Sequence, residues 1–244
     1  MITAEECKIY NEFVDEHQWY LYPVLAARVA RLAGGPFDVA VDMGTGPGLL
    51  TAYLARDLAR RVHAVDINPA MHELARSTCT RMGVVDRVEF DRCDVHRLPY
   101  PDNHADLVVS YSCFHHWADP VTGLRECFRI LRPGGMMVIW DTDGSRKSAV
   151  ERIARVVRDP AHLRFVTEAF DESYAPAEVS GMVAEAHLPD PFLGPFSIDE
   201  EDVMAAIDDL ANGASLPDPG EAGDGTAVAW ELIVRKADPA PAQS

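Results

Sequence analysis

Val39-Ala40-Val41-Asp42-Met43-Gly44-Thr45-Gly46-Pro47-Gly48 is the stretch that decides how this chain folds. The apolar run Val39 to Val41 reads as a buried strand, and the glycines behind it as a tight turn in which the backbone can approach a ligand closely. Leu49 to Ala59 follows as a helix. The glycines fall as G-x-G-x-G, and Leu49 occupies the place of the third glycine in the dinucleotide fingerprint G-x-G-x-x-G. Asp42 stands two positions before the first glycine. A pyrophosphate disfavours a carboxylate there, whereas a ligand carrying an ammonium group welcomes one.

Outward from this turn the chain alternates. Upstream, Tyr20 to Ala33 places Val24, Leu25, Arg28, Val29 and Leu32 at helical spacing and stops at Gly34-Gly35-Pro36, while Ile2 to Trp19 has no clean periodicity. Downstream, strands are expected at Arg61–Val65, Val88–Phe90, Ala105–Ser110 and Met136–Trp140. Helices are expected at Pro69–Met82 and Pro120–Leu131, the latter stopped by Pro133-Gly134-Gly135. Single helices between strands imply a parallel, doubly wound sheet covered on both faces. Beyond Asp141, helices are expected at Arg146–Arg158, Ala161–Phe170 and Pro176–His187, the last ended by Pro189 and Pro191. Ser197-Ile198-Asp199-Glu200 is a capping box opening a helix to Leu210, and Val228–Val234 is an apolar last strand.

Two further acids share one sheet edge with the glycine turn. Asp66 ends the second strand, where a carboxylate can accept both hydroxyls of a ribose. Asp94 follows the third strand, where it can accept from an adenine amino group. Asp42, Asp66 and Asp94, each past a strand end, suit a nucleoside that is positively charged and free of phosphate. S-adenosylmethionine is such a molecule.

With these motifs in place, the chain resembles the class I S-adenosylmethionine-dependent methyltransferases, most closely the UbiE/Coq5-like branch with the Methyltransf_11 type of domain. The resemblance runs from about Tyr20 to Asp141 and is weak beyond it. It implies a Rossmann-like, mostly parallel seven-stranded sheet whose antiparallel edge hairpin is formed by Pro191–Phe196 and Val228–Val234. It also implies that Asp42, Gly44, Thr45, Gly46 and Gly48 line the methionine part of the cofactor, and that Asp66 with Ile67 holds the ribose. Asp94 and Val95 would contact adenine, Met71 would pack on its ring, and Ser110 and Tyr111 would lie near the methionine amino group. Tyr10 could fold over the cofactor, because an aromatic face attracts a sulfonium.

The domain plan expected from this is an N-terminal cap (1–19), a cofactor-binding core (20–141), a lid and edge-strand region (142–196), a helical insertion with the last strand (197–236) and a disordered tail (237–244). The lid would draw on Tyr10 to Trp19 and Thr142 to Tyr174. Composition narrows the setting. The opening MITAEECKIY has neither an apolar run nor a basic segment, so no signal peptide and a cytoplasmic location are expected, with no membrane insertion. The five cysteines are scattered without a C-x-x-C pair, which fits reduced thiols and no metal site. The net charge is −17, and between Phe165 and Val234 sixteen acids stand with no Lys or Arg. Such a field repels nucleic acid and favours a cationic small-molecule acceptor. A monomer or homodimer is expected.

Methyl transfer from a sulfonium is an in-line displacement that asks mainly for alignment and exclusion of water. An amine acceptor needs no base; a phenol or enolic carbon does, and His115, His116, Tyr111 and Asp141 are the nearest candidates. No third ligand is evident beside the His115-His116 pair. Two other readings stay open, an NAD(P)-dependent oxidoreductase and a cofactor-binding protein that does not methylate, such as a repurposed cyclase.

Overall fold

Apolar runs at period two and amphipathic segments at helical period assemble one seven-stranded sheet in the computed structural model, which describes residues 2–198, 204, 206 and 227–238. Strands β1 (Phe37–Met43), β2 (Ala59–Asp66), β3 (Val88–Arg92), β4 (Ala105–Tyr111) and β5 (Leu131–Thr142) are parallel. The last two, β6 (Phe192–Phe196) and β7 (Ala229–Arg235), make the expected antiparallel edge: β7 pairs with β5 and β6 pairs with β7. The order is β3-β2-β1-β4-β5-β7-β6. Strand order reverses between β1 and β4, so the crevice at their carboxyl ends is where such a sheet binds its ligand.

Side chains alternate across the sheet and two apolar layers result. Val138 and Trp140 of β5 face α2 (Leu21–Ala33), where Leu25 and Val29 are fully buried. Met137 and Ile139 face the other way, toward α5 (Pro120–Ile130) and α8 (Pro176–Glu185). The remaining helices are α1 (Ala4–His17), α3 (Leu49–Tyr53), α4 (Pro69–Arg81), α6 (Ala149–Ile153) and α7 (Pro160–Glu172).

Several elements depart from expectation. The aperiodic N-terminus is helical as α1, because Thr3 and Glu6 form a reciprocal capping box: Glu6 N–H donates to Thr3 Oγ1 at 3.2 Å and Thr3 N–H to Glu6 Oε2 at 2.8 Å. The helix expected from Leu49 to Ala59 holds α geometry only to Tyr53, then widens into a π turn over Leu54–Leu58 as the chain swings into β2. Pro133-Gly134-Gly135 lies inside β5, its amide and carbonyl paired with Lys236 beyond β7. Arg146–Arg158 is not one helix. Gly144 packs so closely on the end of α7 that a Cβ there would sit 1.9 Å from Ser173 O, and the chain turns tightly before the short α6. In α8 the helix stops before the two prolines, with His187 in the left-handed region (φ 58°). The helix expected from Ser197 to Leu210 and the end of the tail lie outside the described residues. Among the described residues no helix is long and apolar enough to cross a membrane, and all five cysteines are free thiols.

Candidate cofactor and acceptor site

The turn after β1 takes three left-handed residues, Gly44 (φ 74°), Gly46 (φ 50°) and Gly48 (φ 84°). Two are also sterically obligatory. A Cβ on Gly44 would lie 2.2 Å from Cys113 Sγ, and one on Gly48 would lie 2.6 Å from the Ala75 backbone of α4. At Gly46 the nearest neighbour is the ring of Tyr10, 3.9 Å from where a Cβ would be, so α1 roofs the turn.

The amides of this turn are engaged within the protein. Gly44 and Thr45 donate to Val65 O at 2.8 and 2.9 Å, Gly46 donates to Asp66 Oδ2 at 3.1 Å, and Gly48 donates to Thr45 O at 2.9 Å. Pro47 has no N–H. A pyrophosphate depends on such amides, and from Gly44 to Gly48 each one already has an acceptor.

Carboxylates converge here instead. Asp42 is buried, its Oδ2 accepting from Thr51 Oγ1 at 2.6 Å, and burial pushes its carboxyl up to about 6. Asp66 is half-buried and accepts from Gly46 N–H and from Asn68 N–H at 2.8 Å; burial outweighs those two bonds and raises it as well. Burial first, and then the charges of Asp66, Asp141 and Asp42, raise the thiol of Cys113, which packs beside Gly44. Acids whose ionisation is opposed by burial are relieved by a bound cation. A sulfonium and an ammonium fit that demand; a phosphate does not.

The other expected residues are distributed as follows. Ile67, next to Asp66, is an exposed apolar side chain, and Met71 is buried in the first turn of α4. Asp94 is exposed and takes both the backbone N–H and the ring Nδ1 of His96 on its Oδ1, the backbone bond being what chiefly lowers its pKa. Val95 packs on the apolar layer beneath. Ser110 is fully buried and donates to Met43 O at 2.9 Å, joining β4 to β1. Tyr111 stands edge-on to Tyr22 at 5.6 Å, and burial keeps its hydroxyl protonated far above neutrality. It can donate a hydrogen bond but makes a poor base.

His115 and His116 separate into different environments. His115 is buried, its backbone N–H donating to Asp141 Oδ2 at 2.9 Å and its Nδ1 lying 2.8 Å from Asp141 Oδ1. Burial opposes its charge, yet the Asp141 carboxylate prevails and its pKa is raised. His116 is exposed, 3.3 Å from Glu172 of α7, which supplies the third potential ligand that the sequence did not disclose. Sequence reasoning also missed Cys113, and Ser112 in the left-handed region (φ 52°) at the turn out of β4. It missed Phe165, edge-on to Tyr10 at 5.2 Å, which brings α7 over the same crevice. An aromatic at helical spacing gives no sign that it roofs a ligand.

Strand order and glycine turn define a Rossmann-like fold, one shared with solved structures of S-adenosylmethionine-dependent methyltransferases. Residues 41–139 match the Methyltransf_11 family model, described as "Methyltransferase domain". Among similar sequences are the ubiquinone/menaquinone biosynthesis C-methyltransferase UbiE of Vibrio cholerae and the methyltransferase GfsG of Streptomyces halstedii. UbiE is 34% identical over 43% of this chain and 41% of its own length, and GfsG is 36% identical over 41% of this chain and 36% of its own. The chain thus spans about two-fifths of the length of the curated relatives it matches. Among solved structures, a SAM-dependent methyltransferase from Aquifex aeolicus covers 96% of the chain and 98% of itself (TM-score 0.62, 18% identity). The plantazolicin methyltransferase BpumL in complex with SAH covers 94% of the chain and 89% of itself (TM-score 0.69, 14% identity).

Proposed function

We propose that this protein transfers a methyl group from S-adenosylmethionine to a nitrogen, oxygen or carbon atom of a small metabolite, by direct displacement. The observation that carries this reading is the amide inventory of the glycine turn, spent inside the protein, beside carboxylates whose ionisation burial opposes. That arrangement favours a cationic nucleoside over NAD(P). When bound, S-adenosylmethionine supplies a methyl group already activated on a sulfonium. Asp66 holds the ribose, with Ile67 beside it, while Asp94, Val95 and Met71 form the adenine end. Asp42, the turn from Gly44 to Gly48, Ser110 and Tyr111 build the methionine end. Tyr10 with Phe165 closes the crevice and excludes water.

On the acceptor side, the bond from Nδ1 of His115 to Asp141 leaves Nε2 as the atom that can take a proton. For a phenolic or enolic acceptor His115 is then the base, and Asp141 is its positioning residue. The sign of the pH dependence follows. His115 must be neutral to accept a proton, and its pKa is raised, so kcat falls as pH drops through a value above the ordinary imidazole range. Asp141→Asn removes the charge that raises it. The inflection in kcat against pH should move to lower pH, and kcat at the plateau should fall by about 10–100-fold. An inflection that stays in place would remove His115 from this role. Glu172 beside His116 adds negative charge on the same side, which suits a cationic natural-product-like acceptor.

The deciding experiment is a mass-spectrometric screen of small amines, phenols and quinone precursors for a gain of one methyl group. Asp66→Ala is the control. Losing a charge-assisted pair to ribose should weaken adenosylhomocysteine binding by about 1.5–3 kcal/mol, roughly 10–150-fold. Unchanged affinity would overturn the role of Asp66. Tight cofactor binding with no methylated product from any acceptor would favour a non-methylating relative.

A further inference from the structure

Away from the crevice, three side chains meet where the end of α1 crosses the first turn of α7. His17 Nε2 lies 3.7 Å from Glu16 Oε1, and His162 Nδ1 lies 3.8 Å from Glu16 Oε2. The two imidazoles stand edge-to-face with centroids 5.4 Å apart, and one ligand atom from each of the three residues falls within 4.8 Å of the others. The His162 side chain is 7% exposed and that of His17 14%. Yet neither His17 Nε2 nor His162 Nδ1 has a hydrogen-bond partner among the described residues, and Gln18 Oε1, on the next residue, has none either.

Buried polar atoms without partners are rare because each forfeits the hydration it had when unfolded. A proton shared between the two rings would place a charge on largely buried groups, with Phe13 against His162 and the mostly exposed Glu16 carboxylate beyond hydrogen-bond distance at 3.7 and 3.8 Å. A divalent ion resolves the problem differently. Two neutral imidazole lone pairs and one carboxylate form a His2Glu donor set, one that suits zinc. Ligand atoms about 2.1 Å from a tetrahedral ion are about 3.4 Å from one another. Here one atom from each residue lies within 4.8 Å of the others, with the imidazoles 3.7 and 3.8 Å from the two different oxygens of Glu16, so a small turn of the exposed Glu16 side chain brings the three together. The cluster of His115, His116 and Glu172 fits less well, since two of its members are exposed.

We propose that Glu16, His17 and His162 bind one divalent transition-metal ion of the zinc class, its fourth position filled by water or by Gln18. The ion clips α1 to α7, the two helices that carry Tyr10 and Phe165 over the glycine turn. This goes beyond the methyl-transfer reading and does not depend on it.

The test uses the untagged full chain, stripped with a chelator and dialysed, then titrated with Zn2+ by calorimetry and with Co2+ by visible absorption. One equivalent per chain, tetrahedral-type Co2+ bands and a Tm rise of roughly 5–10 °C at a hundredfold excess of Zn2+ over Kd are expected. Glu16→Gln, whose side chain faces solvent and leaves the fold intact, and His17→Gln should each weaken Zn2+ binding at least tenfold. Absence of Co2+ bands in the unaltered chain would overturn the site. So would bands that survive both variants, or bands lost in His116→Ala alone, which would place the ion at the other cluster.

Discussion

Gly48→Ala is expected to abolish measurable adenosylhomocysteine binding and to lower stability by about 2–6 kcal/mol. Two costs combine. The first is conformational: at φ 84° an alanine carries the strain of the left-handed region, about 1–3 kcal/mol. The second is steric, because its Cβ would stand 2.6 Å from the Ala75 Cα and 2.7 Å from the Ala75 Cβ. No rotamer change relieves a clash with helix backbone, so α4 or the turn must move, at a further 1–3 kcal/mol or so. Either movement disturbs the cradle, since Asp66 is tied to the turn through Gly46 and to the entry of α4 through Asn68. Gly46→Ala is the contrast. Its φ is also positive, but its Cβ would approach nothing nearer than 3.9 Å, so it should cost only the strain. Thermal unfolding and calorimetric titration with adenosylhomocysteine check both variants. Equal losses for the two would remove the packing argument.

The contrast between the two glycines also shows how far the sequence could be read. That Gly44, Gly46 and Gly48 form a turn between strand and helix was legible, because glycine spacing is local chemistry. The parallel core was legible because its strands are short apolar runs between turn signals, whereas the antiparallel edge was expected from the family resemblance. Which glycine abuts Ala75 and which meets Cys113 was not, since those contacts come from elements far along the chain. The paired histidines behaved alike: both were visible as candidates, but the division into a buried His115 on Asp141 and an exposed His116 on Glu172 is set by tertiary packing. In α1 a legible signal went unread. Thr3-x-x-Glu6 is a capping box, a signal independent of the apolar period that the residues behind it lack.

The acidic C-terminal third holds one residue whose chemistry is the opposite of a solvated surface. Glu231 lies in the middle of β7, its side chain 1% exposed, and it accepts from Arg28 Nε at 2.8 Å, from Arg28 at a second guanidinium nitrogen at 2.7 Å and from Trp140 Nε1 at 2.7 Å. Arg28 stands within the apolar stripe of α2 and Glu231 within an apolar strand, 203 residues apart in the sequence. Glu231→Ala should cost about 3–5 kcal/mol, because it removes one partner of a buried ion pair and leaves the Trp140 N–H without its acceptor. At about 2–4 °C per kcal/mol for a chain of this size, Tm should fall by roughly 6–20 °C. Guanidinium unfolding should show a lower midpoint at constant m. The pair itself is a weaker stabiliser than that loss suggests, since desolvating two charges offsets most of their attraction. Arg28→Met with Glu231→Leu and Trp140→Phe, which removes donors and acceptor together, should therefore recover most of the stability lost by Glu231→Ala. A triple variant as unstable as the single one would mean that the layer under α2 depends on the ion pair itself, not on avoiding an unpaired charge.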